Sequence, residues 1–226
     1  MRLGVLFSGG KDSCFAMSKV MKDNEVECLI SVVSKNKESF MFHVPNIEIT
    51  KLQSETMDIP LVRVVTDGRK EDELRDLEAA IAKAKDDYGI DGIVTGAVRS
   101  TYQASRIQTI CKRLNLWCFN PLWLMDEVEL LNSIVDSKIT AIISGVFAFP
   151  LKKEMLGRTI DKDMIGRLAE LKEKSKINPA GEGGEIETTV IDAPFFRKRI
   201  LIEDSVTDYK DYSGTFEIRK ANLVEK

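Results

Sequence analysis

Over residues 2–120 short apolar runs alternate with helix-length amphipathic stretches, and this alternation restricts the fold more than any other feature of the chain. Residues 2–7 read as a buried strand that breaks at Gly9 and Gly10 before a helix over 11–22. Strands follow at 26–33, rich in β-branched residues, and at 61–65, with a helix over 46–57 between them that stops before Pro60. Residues 40–44 read as a short edge or hairpin piece. Leu74, Leu77, Ile81, Ala84 and Tyr88 recur at spacings of three and four, which predicts a helix over 71–88 closed by Gly89. A strand over 91–98 comes next. Ser100 to Gln103 then has capping-box form before a helix carrying Ile107, Ile110, Cys111 and Leu114, and a last short strand spans 116–120. Parallel strands need helix-length crossovers, so the expected fold class is α/β, a doubly wound parallel sheet covered on both faces.

After Pro121 the rhythm changes to a helix over 126–136, a β-rich run over 140–147, a charged helix over 161–174, a Gly-rich loop and further strands. This predicts a second, smaller α+β domain and a division into residues 1–122 and 123–226. The Lys- and Glu-rich stretch at 170–176 reads as a solvated helix end.

The 226 residues are 43% apolar and 31% charged, enough to bury a core, and the net charge of −3 supplies no global field for nucleic acid. Stable nucleic-acid binding is therefore not expected. No run approaches the ~20 apolar residues of a membrane span, and the opening apolar stretch is too short for a leader, so a cytoplasmic protein with no membrane partner is expected. Cys14, Cys28, Cys111 and Cys118 include no C-x-x-C pair and read as reduced packing residues. A single histidine, His43, argues against a multi-histidine metal centre.

Chemistry concentrates at the first turn. In Ser8-Gly9-Gly10-Lys11-Asp12-Ser13 the glycines let backbone N–H groups converge without Cβ obstruction, and the helix behind adds its positive end. Lys11 suits phosphate oxygens, Ser8 and Ser13 supply hydroxyls, and Asp12 suits Mg²⁺. The spacing fits neither G-x-x-x-x-G-K-[ST] nor G-x-G-x-x-G. A second cluster, Gly181-Glu182-Gly183-Gly184-Glu185, puts two carboxylates around a glycine pair ahead of a strand. It reads either as a site for a cation or ammonium or as an acidic solvent loop.

The hexad 8–13 resembles the PP-loop of the ATP pyrophosphatases, which split ATP into AMP and pyrophosphate. Together with the run Asn178 to Phe196 and the segment Gly96 to Arg106, the whole chain is similar to the diphthine–ammonia ligase family, in its short archaeal-type form. The resemblance implies a Rossmann-like (HUP-type) ATP domain followed by an acceptor-recognition domain. It implies ATP as substrate with Mg²⁺ at Asp12, ammonia as nitrogen source, and diphthine on translation elongation factor 2 as acceptor. By position, Ser8, Gly9, Gly10, Lys11, Asp12, Ser13 and Gly96 fall to the nucleotide. Tyr102, Gln103, Arg106, Glu182, Gly183, Gly184 and Glu185 fall to the acceptor, with a capping role rivalling the binding role of Gln103. Lys11, Asp12, Glu182 and Glu185 are the expected catalytic groups, the two glutamates either orienting the acceptor's trimethylammonium group or accepting a proton from ammonium. The alternatives are a transfer-RNA-modifying PP-loop enzyme and a non-catalytic ATP or AMP sensor. A homodimer is compatible with the sequence, which does not itself fix oligomeric state. Trp117 and Trp123 read as groove or core residues, and Arg197 to Arg199 as a partner contact or a strand cap.

Overall fold

A computed structural model describes residues 1–35, 45–67 and 70–226; the expected edge piece at 40–44 and His43 lie outside these residues. The first sheet contains β1 (Arg2–Leu6), β2 (Glu25–Ser34), β3 (Leu61–Thr66), β4 (Gly92–Val94) and β5 (Trp117–Phe119) in the order β3-β2-β1-β4-β5. All of its pairings are parallel. Helices α1 (Lys11–Val20), α2 (Thr50–Met57), α3 (Lys70–Tyr88) and α4 (Thr101–Arg113) make the crossovers. The expected doubly wound α/β arrangement is present.

Alternation along each strand sends side chains to two separate cores. Leu3, Val5 and Leu29 pack with Phe15 and Met17 of α1, while Cys28, Ile30 and Val32 pack with Leu77 and Ile81 of α3 and Ile107 and Ile110 of α4. Full burial of each such side chain stabilises by roughly 1.5–3 kcal/mol. In α3 the buried face runs through Leu77, Ala80, Ile81 and Ala84, with Leu74 only partly covered.

The second sheet is antiparallel in its pairings, with order β7-β6-β9-β8, from β6 (Thr140–Phe147), β7 (Ile186–Asp192), β8 (Arg199–Lys210) and β9 (Ser213–Val224). Helices α5 (Glu127–Asp136) and α6 (Lys162–Ser175) accompany it. The two halves share one core, in which Ala180, Val190, Phe196 and Ile200 join the α1 face of the first sheet. Among the described residues no helix is long and apolar enough to cross a membrane.

Two expectations need correction. The strand expected over 91–98 ends at Val94. Thr95 N still donates to Phe119 O at 2.9 Å, but the Thr95 hydroxyl then accepts from Ala97 N at 3.1 Å and turns the chain out of the sheet toward α1. The helix expected over 46–57 begins instead as a 3-10 turn at Ile47–Ile49, behind Asn46 at φ 63°. The Asn46 side chain is spent elsewhere, donating to Phe216 O at 2.9 Å and accepting from Ile218 N at 2.7 Å, which ties β9 to the first half.

Gln53 of α2 makes a second tie that helical periodicity cannot reveal. It is fully buried, and its amide donates to Gly9 O at 3.0 Å and to Val190 O at 2.7 Å. Gln53→Leu should therefore destabilise the protein by about 2–3 kcal/mol, since the Val190 carbonyl loses its side-chain donor and the Gly9 carbonyl keeps only Val190 N. Urea unfolding read by tryptophan fluorescence checks this, with a larger loss than at exposed Gln108.

Candidate active site

In a sheet of order β3-β2-β1-β4-β5, the chain leaves β1 and β4 in opposite directions, which opens a crevice at their carboxyl ends. A cavity of about 620 Å³ lies there, lined by Ser8 to Ser13 except Gly9, by Gly96 and Gln103, and by Glu182, Gly183, Gly184, Glu187 and Thr188 from the second half.

The start of α1 differs from the starts of α4, α5 and α6. Those are capped by Ser100, Asp126 and Asp161 side chains, whereas Gly10 at the head of α1 brings none. The first intrahelical bond is Cys14 N to Gly10 O at 3.2 Å, so the N–H groups of Asp12 and Ser13 have no helical acceptor. They border the cavity with the positive helix end behind them, a ready anion site.

The second half holds this loop in shape. Gly9, at φ +78°, accepts from Val190 N at 2.9 Å, and Lys11 N donates to Thr188 Oγ1 at 3.1 Å. Ser13 Oγ donates to Gly10 O at 3.1 Å and lies 3.3 Å from Ser8 Oγ. Gly96 is needed for fit: a Cβ there would stand 2.8 Å from Ser13 N and 2.9 Å from the Asp12 carbonyl carbon.

Lys11 is 2% exposed, with Nζ donating to Ala180 O at 2.5 Å and Asp12 Oδ2 at 2.7 Å. Asp12 Oδ1 is buried without a hydrogen-bond partner. No group of three or more His, Cys, Asp or Glu able to cage a metal occurs among the described residues. A Mg²⁺ that takes one carboxylate and completes its shell with phosphate oxygens and water fits these donors. A metal held by protein alone does not.

The two motif glutamates part company. Glu182 faces the cavity, its Oε2 accepting from Arg99 N at 3.1 Å; burial, then the charge of Asp12, pushes its carboxyl up. Glu185 is turned back into its own loop, accepting from Asn178 N at 3.1 Å and Gly183 N at 2.9 Å, and it does not line the cavity. It braces the turn in which Gly181 and Gly184 take positive φ.

Of the central segment, Gln103 lines the cavity; the cap of α4 is made by Ser100 Oγ, which accepts from the Gln103 backbone N–H at 3.3 Å. Tyr102 and Arg106 are not cavity residues; the guanidinium carbon of Arg106 sits 3.4 Å from the Tyr102 ring centroid on the same helix. Trp117 is 68% exposed and Trp123 37% exposed, which excludes a core role, and neither borders the cavity. Arg197 pairs with Asp58 at 2.9 Å and Lys198 with Glu225 at 2.9 Å. Lys172, in the stretch read as a solvated helix end, instead reaches Glu127 at 2.9 Å, and Arg99 meets the same carboxylate at 3.3 Å, fastening α6 and α5 beside the site.

Glu187 is the cavity residue that the motif reading passed over. Burial pushes its carboxyl up to about 7; Lys11 opposes the shift, while Asp12 and Glu182 add to it. Because the folded value exceeds the usual 4.5, this group's contribution to stability is fully present below pH 4.5 and is lost as pH rises through about 7. Glu187→Gln should accordingly stabilise the ligand-free protein by about 1–3 kcal/mol at mildly alkaline pH and by nothing near pH 4. Thermal unfolding of both proteins across that range reads the difference.

The family description "Diphthamide synthase N-terminal domain" fits residues 1–117, and "Diphthamide synthase C-terminal domain" fits 121–224. Diphthine–ammonia ligase of Schizosaccharomyces pombe is 35% identical over 221 residues, covering 90% of this chain and 36% of that protein. The Homo sapiens diphthine–ammonia ligase is 34% identical over 225 residues, covering 91% of this chain and 84% of its own length. Among solved structures, a predicted subunit of tRNA methyltransferase from Methanocaldococcus jannaschii superposes with a TM-score of 0.45 at 19% identity, over 85% of this chain and 97% of that one.

Proposed function

The chain belongs to the diphthamide synthase family, and on that premise we propose that it is a diphthine–ammonia ligase, which amidates diphthine on translation elongation factor 2 with ATP and ammonia. The observation that carries the reading is the one cavity lined both by the start of α1, with Lys11 and Asp12, and by Glu182 and Glu187. Anion-binding and carboxylate groups converge there from the two halves of the chain. In this reading residues 1–122 hold ATP and residues 123–226 recognise the acceptor in the cytoplasm.

A carboxylate oxygen is a poor leaving group, so amide formation needs prior activation. The acceptor carboxylate attacks the α-phosphorus of ATP, the bond to the β-phosphate oxygen breaks, and pyrophosphate departs with the electron pair. Ser8, Gly10, Ser13 and the N–H groups of Asp12 and Ser13 hold the polyphosphate, and Lys11 neutralises charge on the departing oxygens. Such aimed donors are worth roughly 3–4 kcal/mol each in the transition state. Asp12 would hold a Mg²⁺, which would neutralise further phosphate charge. Gly96 keeps the loop and α1 in register. Glu182, Gly183 and Gly184 line the acceptor's approach, Gln103 completes the wall, and Glu185 serves by fixing the turn.

Ammonia then attacks the acyl carbon, and AMP leaves. Incubating the protein with ATP, ammonium and elongation factor 2 bearing diphthine should yield AMP and amidated factor in equal amounts. ATP cleavage without amide, or amide without AMP, would sink the assignment.

A further inference from the structure

Within the amidation reading, we infer that Glu187, beside the Phe147 ring, forms the subsite that binds the ammonium ion and delivers it as ammonia to the activated acceptor. Glu187 and Phe147 both line the cavity that holds Lys11 and Asp12. They share one face of the second sheet because Glu187 pairs with Gly145 across the β6–β7 ladder, and Phe147 lies two residues along from Gly145. Gly145 makes the juxtaposition sterically feasible. A Cβ there would stand 2.6 Å from Phe147 Cε2 and 3.2 Å from Glu187 Cβ, so the missing side chain is the space the ring occupies next to the acid.

The next residue on β7, Thr188, is the one whose hydroxyl accepts from Lys11 N, which keeps Glu187 within one strand position of the phosphate loop. Among the described residues no hydrogen bond or ion pair to the Glu187 carboxylate occurs; the charges that act on it are Lys11 and Asp12 of α1 and Glu182 of the Gly-rich loop. A partly buried acid that takes no hydrogen bond from the described residues favours a ligand that brings donors. Ammonium carries four N–H donors and a positive charge, and the Phe147 ring lining the same cavity adds an aromatic neighbour that a cation tolerates. The acceptor's quaternary ammonium head carries no N–H and leaves the carboxylate unsatisfied.

The step balances. Ammonium gives one proton to the Glu187 carboxylate and becomes ammonia. Its lone pair forms the new C–N bond, the bond from the acyl carbon to the phosphate oxygen breaks, and the pair leaves with AMP. The nitrogen loses a second proton to solvent as the amide forms, and Glu187 returns its own proton to solvent through the open cavity. A carboxyl raised toward neutrality takes a proton from ammonium more readily than an ordinary glutamate.

The test compares nucleophiles. Glu187→Gln should still release pyrophosphate in a first turnover, while its ammonium-dependent kcat/KM falls about 100-fold or more, with a higher KM for ammonium. Hydroxylamine, which is neutral at mildly alkaline pH and need not be deprotonated, should restore acyl transfer to within about threefold of the wild type. Glu187→Asp, which retracts the carboxylate by one methylene, supplies the same readout should the amide variant fold poorly, with raised KM for ammonium expected. Unchanged ammonium kinetics in either variant would overturn the inference. So would an equal loss with hydroxylamine, or a raised KM confined to the acceptor, which would give the carboxylate to the acceptor's cationic head. A wild-type protein that makes no amide from ammonium ends the amidation reading itself, an outcome distinct from all of these.

Discussion

Lys11→Ala is expected to lower amide formation about 1000-fold, with pyrophosphate release falling by the same factor. The buried ammonium hydrogen-bonds both Asp12, at 2.7 Å, and the carbonyl of Ala180 in the acidic loop, at 2.5 Å. It therefore joins the nucleotide loop to the turn carrying Glu182, and its loss removes charge where the leaving pyrophosphate accumulates it. The fold should survive: the cavity admits water to the Ala180 carbonyl, so the cost is about 1–2 kcal/mol. Lys11→Arg should rescue little, because a planar fork cannot replace a compact point charge in a slot of this size. Rapid-quench measurement of pyrophosphate separates chemistry from ATP affinity. A Lys11→Ala protein that adenylates at the wild-type rate would remove the loop from the mechanism.

Gly96→Ala should be nearly as damaging for a steric reason alone. The added Cβ meets the Ser13 nitrogen at 2.8 Å and the Asp12 carbonyl carbon at 2.9 Å, both backbone atoms with no rotamer to yield. Either the turn after β4 or the start of α1 must move, and both border the cavity. The expected cost is about 2–3 kcal/mol of stability and about 10- to 100-fold in ATP affinity. Unfolding measured with and without ATP checks both, and the stabilisation by ATP should shrink in the variant. Gly166→Ala is the control, since a Cβ there has nothing within 4 Å and belongs to the interior of α6; it should leave both quantities at or above the wild-type values.

Much of this architecture is legible in the sequence because it rests on local periodicity. The apolar faces of α3 and α4 and the β-branched run of β2 each announce their element, and the glycine pair after β1 announces the turn. Long-range economy is what the pattern hides. Gln53 reads as one polar residue on a helix, yet it anchors Gly9 and Val190 across the two halves. Glu185 looks like half of a charged pair aimed at a ligand, but neighbouring N–H groups claim it first. Glu187 reads as the polar member of an alternating strand, whose ordinary fate is solvent. It meets the cavity because its neighbours Thr188 and Val190 are bonded to the phosphate loop, which closes the crevice over that end of β7. A strand's polar face becomes a site only through what packs across from it.

The central step is activation of the acceptor carboxylate at the α-phosphorus of ATP, beside Lys11 and the start of α1. The measurement that tests it most directly is oxygen tracing in a single turnover, with the acceptor carboxylate labelled in both oxygens by the heavy isotope. One labelled oxygen should appear in AMP and the other should remain in the amide. Label in pyrophosphate, or AMP free of label beside a finished amide, would contradict an acyl adenylate.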